Sequence, residues 1–91
     1  MAFINVEVTF RIFDSYSLKD KRRTVQSIIQ RMKRRHSISL AEIGQQDMLN
    51  LGQIGIALVN ESPVIANKIL ERVLNDIEEE YEIEIVEVNL V

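Results

Sequence analysis

The sequence predicts an α+β domain with the element order βαββαβ. Three observations carry this prediction. A stretch near the start alternates apolar and polar residues with period two. Two segments of helical periodicity each follow a serine, at Ser17 and Ser62. The apolar runs between and after them are too short for helices and rich in β-branched residues.

The first element is a strand from Ala2 to Phe13. Ala2, Ile4, Val6, Val8, Phe10 and Ile12 share one face, and Asn5, Glu7, Thr9 and Arg11 share the other. Asp14-Ser15-Tyr16 turns the chain, and Ser17 with Asp20 forms an S-x-x-D capping box. The helix that follows runs to about Arg35, with Leu18, Val25, Ile28, Ile29 and Met32 as its apolar stripe. Ile38 to Gly44 reads as a second strand, and residues 45–52 as a loop carrying two apolar side chains. Gln53 to Asn60 reads as a third strand, apolar on both faces and therefore central.

Ser62-Pro63 supplies a cap and a proline at the first helical position. The second helix extends to about Glu80, with Ala66, Ile69, Leu70, Val73, Leu74 and Ile77 facing the core. Tyr81, Ile83 and Ile85 open the last strand. Its alternation then slips phase to Val86, Val88 and Leu90, which predicts a bulge or a change of environment. Right-handed crossovers in both halves give the ferredoxin-like split βαβ layout. In it a four-stranded antiparallel sheet in the order 4-1-3-2 carries two helices on one face. A permuted α+β sandwich is the alternative.

Composition sets further bounds. Ninety-one residues suffice for one domain, residues 1–91, with a single core. No cysteine is present, which removes disulfides, thiolate metal sites and a cysteine nucleophile. The longest uninterrupted aliphatic run, Ile56-Ala57-Leu58-Val59, is far short of a membrane span. The first residues lack the pattern of a signal peptide, so a cytoplasmic location without membrane attachment is expected. Catalysis is not expected. His36 stands alone, the glutamates around Glu80 point in different directions, and Gly44, Gly52 and Gly55 match no phosphate-binding loop. No cofactor or metal is called for. An enzyme using Glu42 or Asp47 as an acid or base is set aside because no partner group stands at a readable spacing.

Charge is unevenly placed. Positions 19 to 35 hold eight basic residues and one acidic one, while the rest of the chain holds three basic and thirteen acidic. At ~100° per residue, Arg22, Arg23, Lys33 and Arg34 fall within about 60° of Lys19. Val25, Ile28, Ile29 and Met32 gather opposite, so one helix has both a core face and a basic ridge suited to phosphates. The plainer reading is a solvated face that balances the acidic remainder. Lys21 falls toward the apolar side, where it either covers Leu18 with its stem or stands as a placed cation with a carboxylate partner. The open face of the sheet would show Gly55, Ala57 and Val59 on strand three, with no aromatic for base stacking. Such a low face suits another protein, including a second copy in a homodimer.

Ser17-Leu18-Lys19-Asp20-Lys21-Arg22 resembles the S-L-K-x-K-R motif of the YlxP-like bacterial proteins, a family of unassigned function. Ile38-Ser39-Leu40-Ala41-Glu42-Ile43-Gly44 with Gln46-Asp47 is similar to its V-S-V-A-E-V-G-x-Q-D stretch, and Gly55-Ile56-Ala57 to the start of its third strand. The resemblance implies a ferredoxin-like fold. The family's genes tend to lie beside those for translation initiation and ribosome maturation, which implies a ribosome or RNA connection. It also marks Lys21, Glu42, Gln46 and Asp47 as motif residues. Leu49 and Leu51 stand where the family often has a tryptophan and an arginine, and the tail after Ile85 lacks the frequent closing tryptophan. No role of those residues carries over. Two functions follow. One is a nonenzymatic RNA- or ribosome-associated module using Lys19, Arg22, Arg23, Lys33 and Arg34, with Glu42, Gln46 and Asp47 as adjacent polar contacts. The other is a protein-interaction or regulatory domain that self-associates through its sheet.

Overall fold

A computed structural model describes residues 1–91. The order is β1 (Ala2–Ile12), α1 (Leu18–His36), β2 (Ser39–Gly44), β3 (Leu51–Asn60), α2 (Pro63–Glu80) and β4 (Ile83–Leu90). The strands form one antiparallel sheet in the order β2-β3-β1-β4, the predicted arrangement.

The two-residue alternation of β1 decides which side of the sheet is dry. Ile4, Val6, Val8, Phe10 and Ile12 are buried beneath the helices. Ile54 and Ile56 of β3 and Leu40 of β2 continue that face. Val25, Ile28, Ile29 and Met32 of α1, with Ala66, Val73 and Ile77 of α2, close the core from above. Packing sets one composition limit: Gly52 pairs with Phe10, and a Cβ there would stand 2.5 Å from the ring.

Four boundaries and part of the α2 core face differ from the sequence reading, each for a stated reason. The first strand ends at Ile12, one residue early, because Asp14 takes a left-handed conformation (φ 57°). The third strand starts at Leu51, since Leu51 and Gly52 pair with Arg11 and Phe10 and draw two loop residues into the ladder. The second strand begins at Ser39, after the left-handed Ser37 that ends α1. Tyr81 caps the end of α2, its N–H bonded to the Ile77 carbonyl, so the last strand opens at Ile83. Ile69, Leu70 and Leu74 are half-buried because they lie at the rim of the core.

The phase slip in β4 is a bulge. Ile85 pairs with Phe10 and Glu87 with Thr9, leaving Val86 unpaired between them. Val88 and Leu90 thereby stay on the helix side of the sheet, opposite Val8 and Val6.

Candidate nucleic-acid interface on the first helix

The capping serine fixes where α1 starts. Ser17 Oγ accepts the Asp20 N–H at 3.0 Å, as the capping box requires, and Asp20 sits in the positive first turn. Four basic residues, Lys33, Arg34, Arg35 and His36, occupy the last turn, where the helix dipole is negative. The buried stripe then leaves the other face of the helix no orientation but outward.

Lys19, Arg22, Arg23, Lys33 and Arg34 are all exposed, and none forms an ion pair. The other cations of the same helix are taken. Arg31 pairs with Glu80 at 3.1 Å, and Arg35 pairs with Asp76 at 3.2 Å and also with Glu80. His36 Nε2 lies 2.8 Å from Asp76. These contacts tie the last turns of α1 to the end of α2. The hydrogen bond from His36, with Arg35 beside it, holds the Asp76 carboxyl below its ordinary range, and Arg35 does the same for Glu80.

Two of the free cations, Arg23 and Arg34, share a concavity with the paired Arg31. A shallow polar hollow runs along α1 between Arg23, Gln26, Ser27, Gln30, Arg31 and Arg34. Carboxamides of Gln26 and Gln30 therefore alternate with guanidinium groups, offering donors and acceptors beside the charge. From Lys19 to Arg34 the ridge extends about 22 Å at 1.5 Å per residue. Arg31 also lies over the Tyr81 ring, 5.3 Å from its centroid, and the Tyr81 hydroxyl meets Ser27 Oγ at 2.6 Å. Those contacts hold the inner wall of the hollow in place.

The motif residues separate into two groups. Lys21 is fully buried; its ammonium donates to the Gln45 carbonyl and lies 4.0 Å from the Glu42 carboxylate. Burial lowers its pKa, while Glu42 and Asp47 oppose that shift. Lys21 therefore has a carboxylate partner, one of the two arrangements its position allowed, and it joins α1 to β2 and to the turn at Gln45, whose φ is 60°. Gln46 and Asp47 are exposed on the β2–β3 loop. They belong to the loop that Lys21 anchors, and no hydrogen bond links them to the ridge.

The interhelical pairing of Arg31, Arg35 and His36 escapes a reading of the sequence. Their partners lie 40 or more positions away, and helical periodicity assigns a residue to a face without naming what faces it. The acid-rich end of α2 was the only available signal.

A family model described as "Protein of unknown function (DUF503)" matches residues 3–90. The chain is 41% identical over 73 residues to "Uncharacterized protein YlxP" of Bacillus subtilis (strain 168), covering 80% of this chain and 79% of that protein. Among solved structures it resembles a de novo designed protein, LFR1 1, with a ferredoxin fold. The TM-score is 0.56 at 16% identity, over 99% of this chain and 85% of the other, a likeness of fold alone.

Proposed function

The chain belongs to the DUF503 family of unknown function, and from that premise we propose that it is a nonenzymatic module that binds RNA phosphates through the exposed face of α1. One observation carries the reading. The chain holds more acids than bases, yet five cations on one helix face have no carboxylate partner while their neighbours are paired. A face that served only to balance internal charge would have drawn those acids to it. The groups on the ridge are ammonium, guanidinium and carboxamide. They offer hydrogen-bond donors and positive charge that bind and orient phosphate, which fits a binding role. RNA is preferred to DNA because the family's genes tend to lie beside genes of translation, and a cytoplasmic setting agrees with that. No helix of the chain is long and apolar enough to cross a membrane.

The test is the salt dependence of binding to a short unpaired RNA, followed by fluorescence anisotropy. Log affinity should fall with log salt concentration, at about 0.7 to 0.9 per phosphate neutralised. Changing Arg22 and Arg34 together to glutamine should reduce the slope by about 1.4 to 1.8 units. The melting temperature should stay unchanged, because both side chains point away from the core. An unaltered slope, or no salt-dependent binding, would make the ridge a solvated face.

A second reading is that the chain self-associates through its sheet. Its open face is floored by Gly55, Ala57 and Ala41, with Asn5, Glu7 and Ile43 around a shallow concavity, and its outer strands leave backbone groups to pair.

A further inference from the structure

The two halves of β4 are built differently. β4 is an edge strand, with β1 on one side and nothing on the other. Its first half is closed to partners. Glu78 of α2 accepts the Ile85 N–H at 3.0 Å, and Glu82 and Glu84 bring charge to the same end. Side-chain capping and acidic residues of this kind keep edge strands from pairing with other chains.

Beyond the bulge these devices stop. From Val86 to Leu90 the outer backbone edge finds no partner, and the segment contains one charge, Glu87. Val88 and Leu90 are on the helix side of the sheet, where their counterparts Val6 and Val8 are buried, yet Val88 is 42% and Leu90 84% exposed. Neither helix reaches over them. The flank of α2 nearest to them is equally unfinished. Leu70, Leu74 and Glu78 succeed one another at intervals of four, and Glu78 touches β4, so this row faces the edge. Leu70 and Leu74 are only half-buried in consequence.

We infer that a second copy of this chain pairs antiparallel with the C-terminal half of β4, about a twofold axis at Val88, and closes this apolar edge. The inference rests on the second reading above and names the surface it would use. Residues paired across an antiparallel ladder must share a face, which restricts the register. With Val88 opposite Val88 of the second copy, Glu87 stands opposite Asn89, and the ladder stops short of the bulged Val86, which lies outside the regular alternation. Glu87 and Asn89 lie on the open face, and within the chain Asn89 already donates to Glu87. The twofold repeats this donor–acceptor relation between copies and sets no carboxylate against another. Glu82 and Glu84 project past the paired segment. A strand edge alone falls short of the ~1,000 Å² that a specific interface buries. Leu70 and Leu74 of both copies, flanking Val88 and Leu90, would add apolar area to it.

The experiment is sedimentation velocity across a concentration series, with thermal melting as a control for folding. The unaltered protein should be dimeric. Leu90→Lys should give monomer without lowering the melting point of the monomer, because that side chain touches little within the chain. Asn89→Glu sets two like-charged pairs across the axis and should weaken the dimer about five- to tenfold at low salt. Adding Glu87→Lys to Asn89→Glu turns both into opposite-charge pairs and should restore it. Asn5→Arg, on the open face, should change nothing. If Asn5→Arg abolishes the dimer while Leu90→Lys and Asn89→Glu leave it intact, the edge proposal falls and self-association through the face stands. If Asn89→Glu weakens the dimer but Glu87→Lys does not rescue it, the register is wrong and the proposal fails. A monomer at all concentrations removes both.

Discussion

Lys21 shows how far a single residue can be read. Its position on α1 places it among apolar side chains, which demands either an outward-bent stem or a buried partner. The partner, Glu42, is 21 positions away on another element, and only the packing of α1 against β2 brings the two together. The five ridge cations are the opposite case, since outward exposure follows from periodicity alone. Lys21→Ala leaves the Gln45 carbonyl and the Glu42 carboxylate without their cation, at a cost of about 2–4 kcal/mol in urea unfolding. Lys21→Met, which keeps the volume, should cost less. Because burial lowers the Lys21 pKa, the folded protein releases this proton at lower pH than the unfolded chain does. The unaltered protein should therefore gain stability relative to Lys21→Met as pH rises toward 10.5, where a free lysine ordinarily loses its proton. A gap that stays constant with pH would contradict the buried charge.

At the level of elements, caps and alternation placed all six, because each signal is local. Ser17 and Ser62 both accept a backbone N–H in the first turn of their helices. One boundary error lay where a distant strand decides, as Arg11 and Phe10 draw Leu51 and Gly52 into β3. The others follow from the left-handed Asp14 and Ser37 and from the cap at Tyr81. Burial within an element was also only partly legible. Helical spacing gives Leu70 and Ile77 the same apolar face, but Ile77 lies over the middle of the sheet and Leu70 over its edge. Ile56→Ala, at a position 2% exposed, should cost about 2–5 kcal/mol. Leu70→Ala should cost clearly less, measured by chemical denaturation at a concentration where the protein is monomeric. Equal losses would place Leu70 in the core after all.

Across the whole molecule the charge is divided by use. The acids at the end of α2 hold one end of α1 through Arg31, Arg35 and His36, and the free cations occupy the outer face. Composition showed the imbalance; the division of labour needed the fold. The folded-state pKa values of Asp76 and Glu80 are lowered, so their contribution to stability is complete above the ordinary carboxylate range and is lost as pH falls from that range through the lowered values. The double change Asp76→Asn with Glu80→Gln should flatten the decline in melting temperature below about pH 5. An equally steep decline would assign acid sensitivity to other carboxylates.

The bulge at Val86 gives the chain one more residue than its ladder needs. In a regular strand, losing one residue turns every later side chain to the opposite side of the sheet. At this position the loss is silent in that respect. Without Val86, Ile85 is followed by Glu87, which already pairs with the next residue of β1, and the facing of Glu87, Val88, Asn89 and Leu90 does not change. Insertions and deletions are therefore unequal along β4. The tail can shorten by this one residue and keep its pattern, whereas a loss at Val88 would exchange its oily side for its polar one. Length variation among relatives would be tolerated in this strand at the bulge before it is tolerated inside the regular ladder on either side.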